Sequence, residues 1–264
     1  MTMINSWRSF ITEQINIDEL VDPETIDVSS FKIQESLNED FWVGPDLKLK
    51  PDVRERLLEI VNDFWADLEL DYVDIIDIIF TGSLSNYNWS VFSDVDLHIV
   101  IDFDQIAGKE EVIREFFLAK KSLWNRTHEI TIFGFEVELY VQDNDEPHEA
   151  TAIYSVLNDE WNVKATRVDP IIDWRSVKGK AAGMIDQIIK VAELYEDEDY
   201  EEAHKYATKL KNKIRRFRKS GLETGGEYST ENLAFKVLRR SDNLQRLSYL
   251  HADSYDRMMS LHQS

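Results

Sequence analysis

In SDVDLHIVI two aspartates one residue apart, Asp94 and Asp96, break an otherwise apolar alternation, and they follow a Gly-Ser pair, Gly82-Ser83, with ten residues between. On a strand, residues i and i+2 share a face with Cα atoms roughly 6.5–7 Å apart, so the two carboxylates project together. Held side by side they repel one another and are costly to desolvate. A divalent cation removes both penalties, and oxygen ligands in a chain without cysteine favour a hard ion such as Mg²⁺. A third carboxylate from a neighbouring strand would complete a site for two ions roughly 3.5–4 Å apart, the usual clamp for in-line phosphoryl transfer. Glu138, between Val137 and Leu139 in the middle of its segment, is the candidate. Glu136 shares its face but adjoins a turn, and is the alternative.

The Gly-Ser pair then acquires a role. It ends the Ile-rich run VDIIDIIFT (73–81), which reads as a buried strand, and it is expected to open a helix over 84–87. Glycine lets the backbone approach a ligand closely. A helix N-terminus and the Ser83 hydroxyl would present donors to phosphate oxygens. The pattern is not a P-loop, and G-x-G-x-x-G is absent as well.

The elements that must position these residues follow from periodicity. Pro51 sits where the first turn of a helix tolerates proline, and Val53, Leu57, Val61, Phe64 and Leu68 follow at helical spacing. After the Gly-Ser turn, Val95, Leu97, Ile99 and Ile101 alternate with Asp94, Asp96, His98 and Val100, a strand. A helix is expected over 107–123 with Val112, Phe116, Leu118 and Ala119 on its apolar side. EITIFGFEVELYVQD (129–143) reads as a hairpin turned at Gly134. Its second arm sends Phe135, Val137, Leu139 and Val141 one way and Glu136, Glu138, Tyr140 and Gln142 the other.

From Trp174 onward strand signals vanish. Ile185, Ile188, Ala192 and Tyr195 outline one helix; Ala203, Tyr206, Leu210, Ile214 and Phe217 outline a second, stopped at Gly221; a third runs from Leu233 to about Leu250. Residues 1–50, with Trp7, Phe10, Phe31, Phe41 and Trp42, read as short helices and an irregular arm. The expected architecture is an α/β (α+β) domain over 1–170, a mixed sheet flanked by helices, followed by an all-helical domain over 171–264, with a cleft between them.

Composition bounds the rest. Hydrophobic residues make up 43% and charged residues 31%, an ordinary folded balance. No run approaches a membrane span, the start lacks the pattern of a signal peptide, and cysteine is absent, so a cytoplasmic protein without disulfides or thiolate chemistry is expected. A formal charge of -21 disfavours nonspecific duplex binding but leaves room for a local basic groove.

Strand, Gly-Ser, ten residues and then Asp-Val-Asp-Leu resembles the signature of the polymerase-β-like nucleotidyltransferase superfamily. SDVDLHI (93–99), VELYVQD (137–143) and the leading helix LKLKPDVRERLLEIVNDFW (47–65) are similar to the small nucleotidyltransferases predicted in large bacteriophage genomes. The resemblance covers about residues 40–165. It implies a nucleotidyltransferase-type sheet, with Asp94 and Asp96 binding two Mg²⁺ (or Mn²⁺) ions. It also implies that Glu138 serves the nucleophile-side ion and helps activate the acceptor hydroxyl, while Gly82 and Ser83 hold the β/γ-phosphates of an NTP. The implied reaction is attack of an acceptor hydroxyl on the α-phosphate with release of pyrophosphate.

Other residues carry two readings each. His98 lies on the carboxylate face, where a histidine is more often structural than catalytic. Tyr87 and Trp89 would stack on a base or anchor the loop. KLKNKIRRFRKS (209–220) holds seven Lys/Arg and no acid, with Lys205, Lys209, Lys213 and Arg216 along one flank and Arg239 and Arg240 as a possible extension. It is either a solvated face neutralising EDEDYEE or a cationic wall for the nucleotide triphosphate or an RNA acceptor. The acceptor stays open, with RNA a candidate. The alternative function is a catalytically silent nucleotidyltransferase fold that senses nucleotide or binds protein; the complete Asp94/Asp96/Glu138 set argues for activity. A third class, an acidic partner-binding protein imitating nucleic acid, would need clustered carboxylates where the sequence disperses them.

Overall fold

The computed structural model describes residues 21–147 and 150–261; Trp7 and Phe10 lie outside them. The chain divides into two compact units: one runs from Ser29 to Asp169, and the other joins the described residues before Ser29 to everything from Pro170 on. The first is mixed α/β and the second is helical.

In the α/β unit a ribbon of β1 (Trp42–Val43) and β2 (Lys48–Leu49) leads into α1 (Pro51–Ala66). Pro51 opens α1, where its missing N–H costs nothing. Val53, Leu57, Ile60, Val61 and Phe64 are its buried stripe. Then come β3 (Ile75–Thr81), β4 (Val95–Ile101) and α2 (Glu110–Thr127). A hairpin of β5 (Thr131–Ile132) and β6 (Phe135–Asp143) follows, then β7 (Ile153–Ser155) and β8 (Glu160–Val163). Six strands form one mixed sheet in the order β5-β6-β4-β3-β7-β8. Only β4 and β6 run parallel, the connection between them passing through α2, as parallel pairing requires.

The alternation expected on β4 is what the sheet uses. Val95, Leu97, Ile99 and Ile101 are buried in the main core with Phe80, Leu139, Phe41 and Tyr154, while Asp96 and His98 lie on the opposite face. That second face holds only a small apolar cluster of Ile79, Val100 and Ile153. The hairpin turn is Phe133-Gly134, both at positive φ (51° and 85°), the two-residue geometry that matches strand twist.

Three expectations need correction here. The apolar face of α2 is Ile113, Phe117 and Trp124, whereas Val112, Phe116 and Leu118 are exposed. The two stripes are offset by one residue, and packing selects the one whose Phe117 reaches Phe103 and whose Trp124 reaches Phe64. No helix forms over 84–87: Ser85 Oγ donates to the Gly82 carbonyl at 2.9 Å and the Asn86 carboxamide accepts from the Tyr87 N–H at 2.8 Å, side-chain bonds that compete with helix formation. A third departure is the pair of strands β7 and β8, three and four residues long and so too short to show a period in the sequence.

In the helical unit α3 (Trp174–Glu196), α4 (Tyr200–Gly225), α5 (Thr230–Arg240) and α6 (Asn243–Met259) pack on one another. Asp173, Asp199 and Ser229 cap the first three through side-chain oxygens that accept backbone N–H groups. Gly221 does not stop α4, which continues to Gly225. A Cβ at Gly221 would stand 2.4 Å from Glu231 Cβ, so the glycine permits close approach of α5. The third expected helix is two, broken where Asp242 takes φ 56° and Asn243 Nδ2 donates to Ser241 Oγ. Among the described residues no helix is long and apolar enough to cross a membrane.

Candidate active site

Asp96 is set by its two neighbours. In the antiparallel ladder it pairs with Thr81 of β3, and in the parallel ladder it pairs with Glu138 of β6. Side chains directly opposite on one face of a sheet are within reach of one another, so Asp96 and Glu138 share a patch, with Asp94 at the entry of β4 two residues earlier. Glu136, by contrast, pairs with Thr131 of the hairpin and is exposed.

Gly82 lies directly under Asp96. Its φ is +79°, and a Cβ placed on it would come 1.9 Å from Asp96 Oδ2. A side chain here would displace the carboxylate, so both conformation and space favour the glycine. Ser83 Oγ donates to Ser93 Oγ at 2.7 Å, and Ser93 Oγ accepts the Ser90 N–H at 2.9 Å. The hydroxyls thus tie the Gly-Ser turn to the residue just before Asp94.

The loop between turn and strand is clamped from the N-terminal side. The Trp42 indole donates to the Leu84 carbonyl at 2.8 Å while its ring stacks on Phe80 and Trp161. The Gln34 N–H donates to the Tyr87 carbonyl, the Gln34 amide donates to the Trp89 carbonyl, and the Trp89 indole donates to the Ser36 carbonyl. Tyr87 and Trp89 both pack partly buried against the core, so the structure uses them as loop anchors.

Two groups around Glu138 were missed in the sequence. Tyr140 Oη donates to Glu138 Oε2 at 2.8 Å, and Lys121 Nζ on α2 lies 3.4 Å from the same oxygen. The ammonium also stands 3.1 Å from the centroid of the Tyr140 ring, a cation–π contact. Burial pushes the Tyr140 hydroxyl well above the ordinary phenol range, helped by its bond to Glu138 and by the charges of Glu138, Asp96 and Asp94. Burial lowers the Lys121 ammonium, against the pull of Glu138 and Asp96. A signal existed for Lys121: it continues the buried stripe of α2, four residues after Phe117 and three before Trp124.

Along the same face His98 stacks on Tyr140 at 4.9 Å and its Nδ1 pairs with Gln142 Oε1 at 2.8 Å. Beside it lies a cavity of about 280 Å³ lined by Ile79, Thr81, His98, Tyr140, Gln142 and Ile153, next to the carboxylate patch. Lys209, Lys213 and Arg216 are exposed on α4 of the helical unit, where Lys213 Nζ donates to Gln187 Oε1 at 2.9 Å and Arg216 Nε donates to the Asn212 carbonyl. Lys205 is paired with Glu202 of the acidic stretch, as a solvated face would have it.

Among the described residues, no three His, Cys, Asp or Glu side chains come together as a ready-made metal cage. The donor set itself is of the kind a hard cation takes, all carboxylate oxygen. A positive charge, the Lys121 ammonium, already stands against one of its members. Compared with protein-family models, with curated proteins and with solved structures, the chain finds no match in any of the three.

Proposed function

We propose that the chain is a nucleotidyltransferase of the polymerase-β-like class, its sheet of that type, transferring a nucleoside monophosphate from an NTP to an acceptor hydroxyl. The observation that carries this reading is the pairing of Asp96 with Glu138 across parallel strands, directly above a glycine where a Cβ would press on the Asp96 carboxylate. Asp94, Asp96 and Glu138 are the residues that would hold Mg²⁺ or Mn²⁺; bound there, the cation would neutralise phosphate charge and lower the pKa of the attacking hydroxyl.

The chain's own residues supply the rest. Gly82, lacking a side chain, makes room for the Asp96 carboxylate, the Gly82-Ser83 turn would offer its backbone N–H groups to phosphate oxygens, and Ser83 fixes the turn against Ser93. Both contacts to Glu138 go to Oε2, which leaves Oε1 to accept the acceptor's proton. The acceptor oxygen forms its bond to the α-phosphorus, the bond to the β-phosphate oxygen breaks, and pyrophosphate leaves. The cavity beside Tyr140 offers space for the acceptor group, with RNA 3′ ends one candidate. Lys209, Lys213 and Arg216 are assigned to the incoming polyanion only in that case.

The test is pyrophosphate release with each NTP, Mg²⁺ or Mn²⁺, and total RNA or cell lysate as acceptor. Release by the wild type that is lost in Asp94→Asn and Asp96→Asn supports the enzyme. Nucleotide binding without release by any combination favours the second reading, a silent nucleotidyltransferase fold used for sensing or protein binding. One observation speaks for that alternative: Lys121 already neutralises Glu138.

A further inference from the structure

Lys121 is placed as a resident ion would be. Its ammonium sits between the Glu138 carboxylate, at 3.4 Å, and the Tyr140 ring, at 3.1 Å from the centroid. The lysine side chain is 17% exposed and lies in sequence between the buried Phe117 and Trp124 of α2. Tyr140 Oη donates to the same Oε2, so this oxygen is committed to two groups of the chain itself. A divalent cation drawing on that oxygen would meet the ammonium at close range, and like charges repel. We propose that the site takes a single divalent cation, at Asp94 and Asp96, and that the Lys121 ammonium stands in place of a second one at Glu138.

This rests on the nucleotidyltransferase reading and changes its ion count from two to one. Asp96 is the shared member, one residue inside β4 and two after Asp94, and opposite Glu138 on the next strand. Lys121 is then an electrostatic and positioning residue. It keeps Glu138 oriented toward the acceptor and supplies a fixed positive charge that no chelator removes.

The experiment counts Mn²⁺ bound to the full chain by electron paramagnetic resonance at micromolar metal, where weak association with the acidic surface does not register. The wild type is expected to bind one ion per chain and Asp94→Asn none. Lys121→Met, which frees Glu138, is expected to bind two, or to show a second site at least tenfold tighter than any in the wild type. Lys121→Arg, which keeps the charge, should stay at one and serves as the control should Lys121→Met unfold. Two ions in the wild type, or one ion in a folded Lys121→Met, would overturn the inference and leave the enzyme reading standing. No tight ion in the wild type would overturn both.

Discussion

Asp96 and Glu138 stand opposite each other in the parallel ladder of β4 and β6, and the space beneath Asp96 is kept open by Gly82. Three segments distant in sequence meet there: the end of β3, the start of β4 and the middle of β6. A parallel neighbour for β4 exists only because the chain crosses over through α2, and that same helix delivers Lys121 to Glu138. Topology and chemistry are therefore one arrangement.

Neutralising the carboxylates should separate function from folding. Asp94→Asn, Asp96→Asn and Glu138→Gln are each expected to lower transfer by roughly 10²-fold or more, the scale of a lost proton acceptor or charge ligand. Thermal unfolding should show Asp94→Asn and Asp96→Asn folded with a midpoint close to that of the wild type, so that the lost transfer reports on chemistry. A clear loss of stability in either would mean the aspartates serve the fold instead.

Gly82→Ala tests the close approach. Left-handed backbone strain alone costs about 1–3 kcal/mol for a non-glycine residue, and the added methyl would meet Asp96 Oδ2 at 1.9 Å. Urea unfolding should report that loss, and Mn²⁺ affinity should fall with it. Unchanged affinity would show that Asp96 does not need its present position.

Gly221→Ala addresses the helical unit. Helix propensity alone predicts a gain of about 1 kcal/mol for alanine. The Cβ would lie 2.4 Å from Glu231 Cβ and 2.8 Å from Ser229 Oγ, so a net loss of about 1–3 kcal/mol is expected from overpacking. A stabilised variant would mean that α4 and α5 do not pack this closely.

Asp159 should give acid sensitivity. The Tyr154 hydroxyl, donating at 2.6 Å, holds its carboxyl below the ordinary aspartate value, and Lys48 and Arg54 add to this against the cost of burial. The folded pKa is depressed, so the stabilisation is present above the unfolded value of about 3.9 and is lost as pH falls through the folded value. Asp159→Asn should therefore be less stable than the wild type at pH 7, with the gap closing below about pH 4. Urea titrations at the two pH values measure it; an equal gap at both would exclude this ionisation as the cause.

Much of the α/β unit is legible in the sequence because its strongest signals are periodic. Val95, Leu97, Ile99 and Ile101 announce β4, and Pro51 with Val53, Leu57 and Val61 announces α1. Legibility fails where local side-chain bonding decides, as at Ser85 and Asn86 after the Gly-Ser turn or at Ser241 and Asn243 between α5 and α6. It fails again where two apolar stripes compete, as on α2, and that error hid Lys121. A lysine in the apolar stripe of an amphipathic helix needs a tertiary partner, and Glu138 becomes visible as that partner only once β6 lies beside α2.

The most direct measurement follows each phosphate of the NTP separately. With label on the α-phosphate, the wild type should attach it covalently to an acceptor in the presence of Mg²⁺ or Mn²⁺; with label on the γ-phosphate, all of it should emerge as pyrophosphate. Asp96→Asn should do neither. Label moving from the γ-phosphate to the acceptor, or α-label transfer that survives in Asp96→Asn, would contradict nucleotidyl transfer at this site.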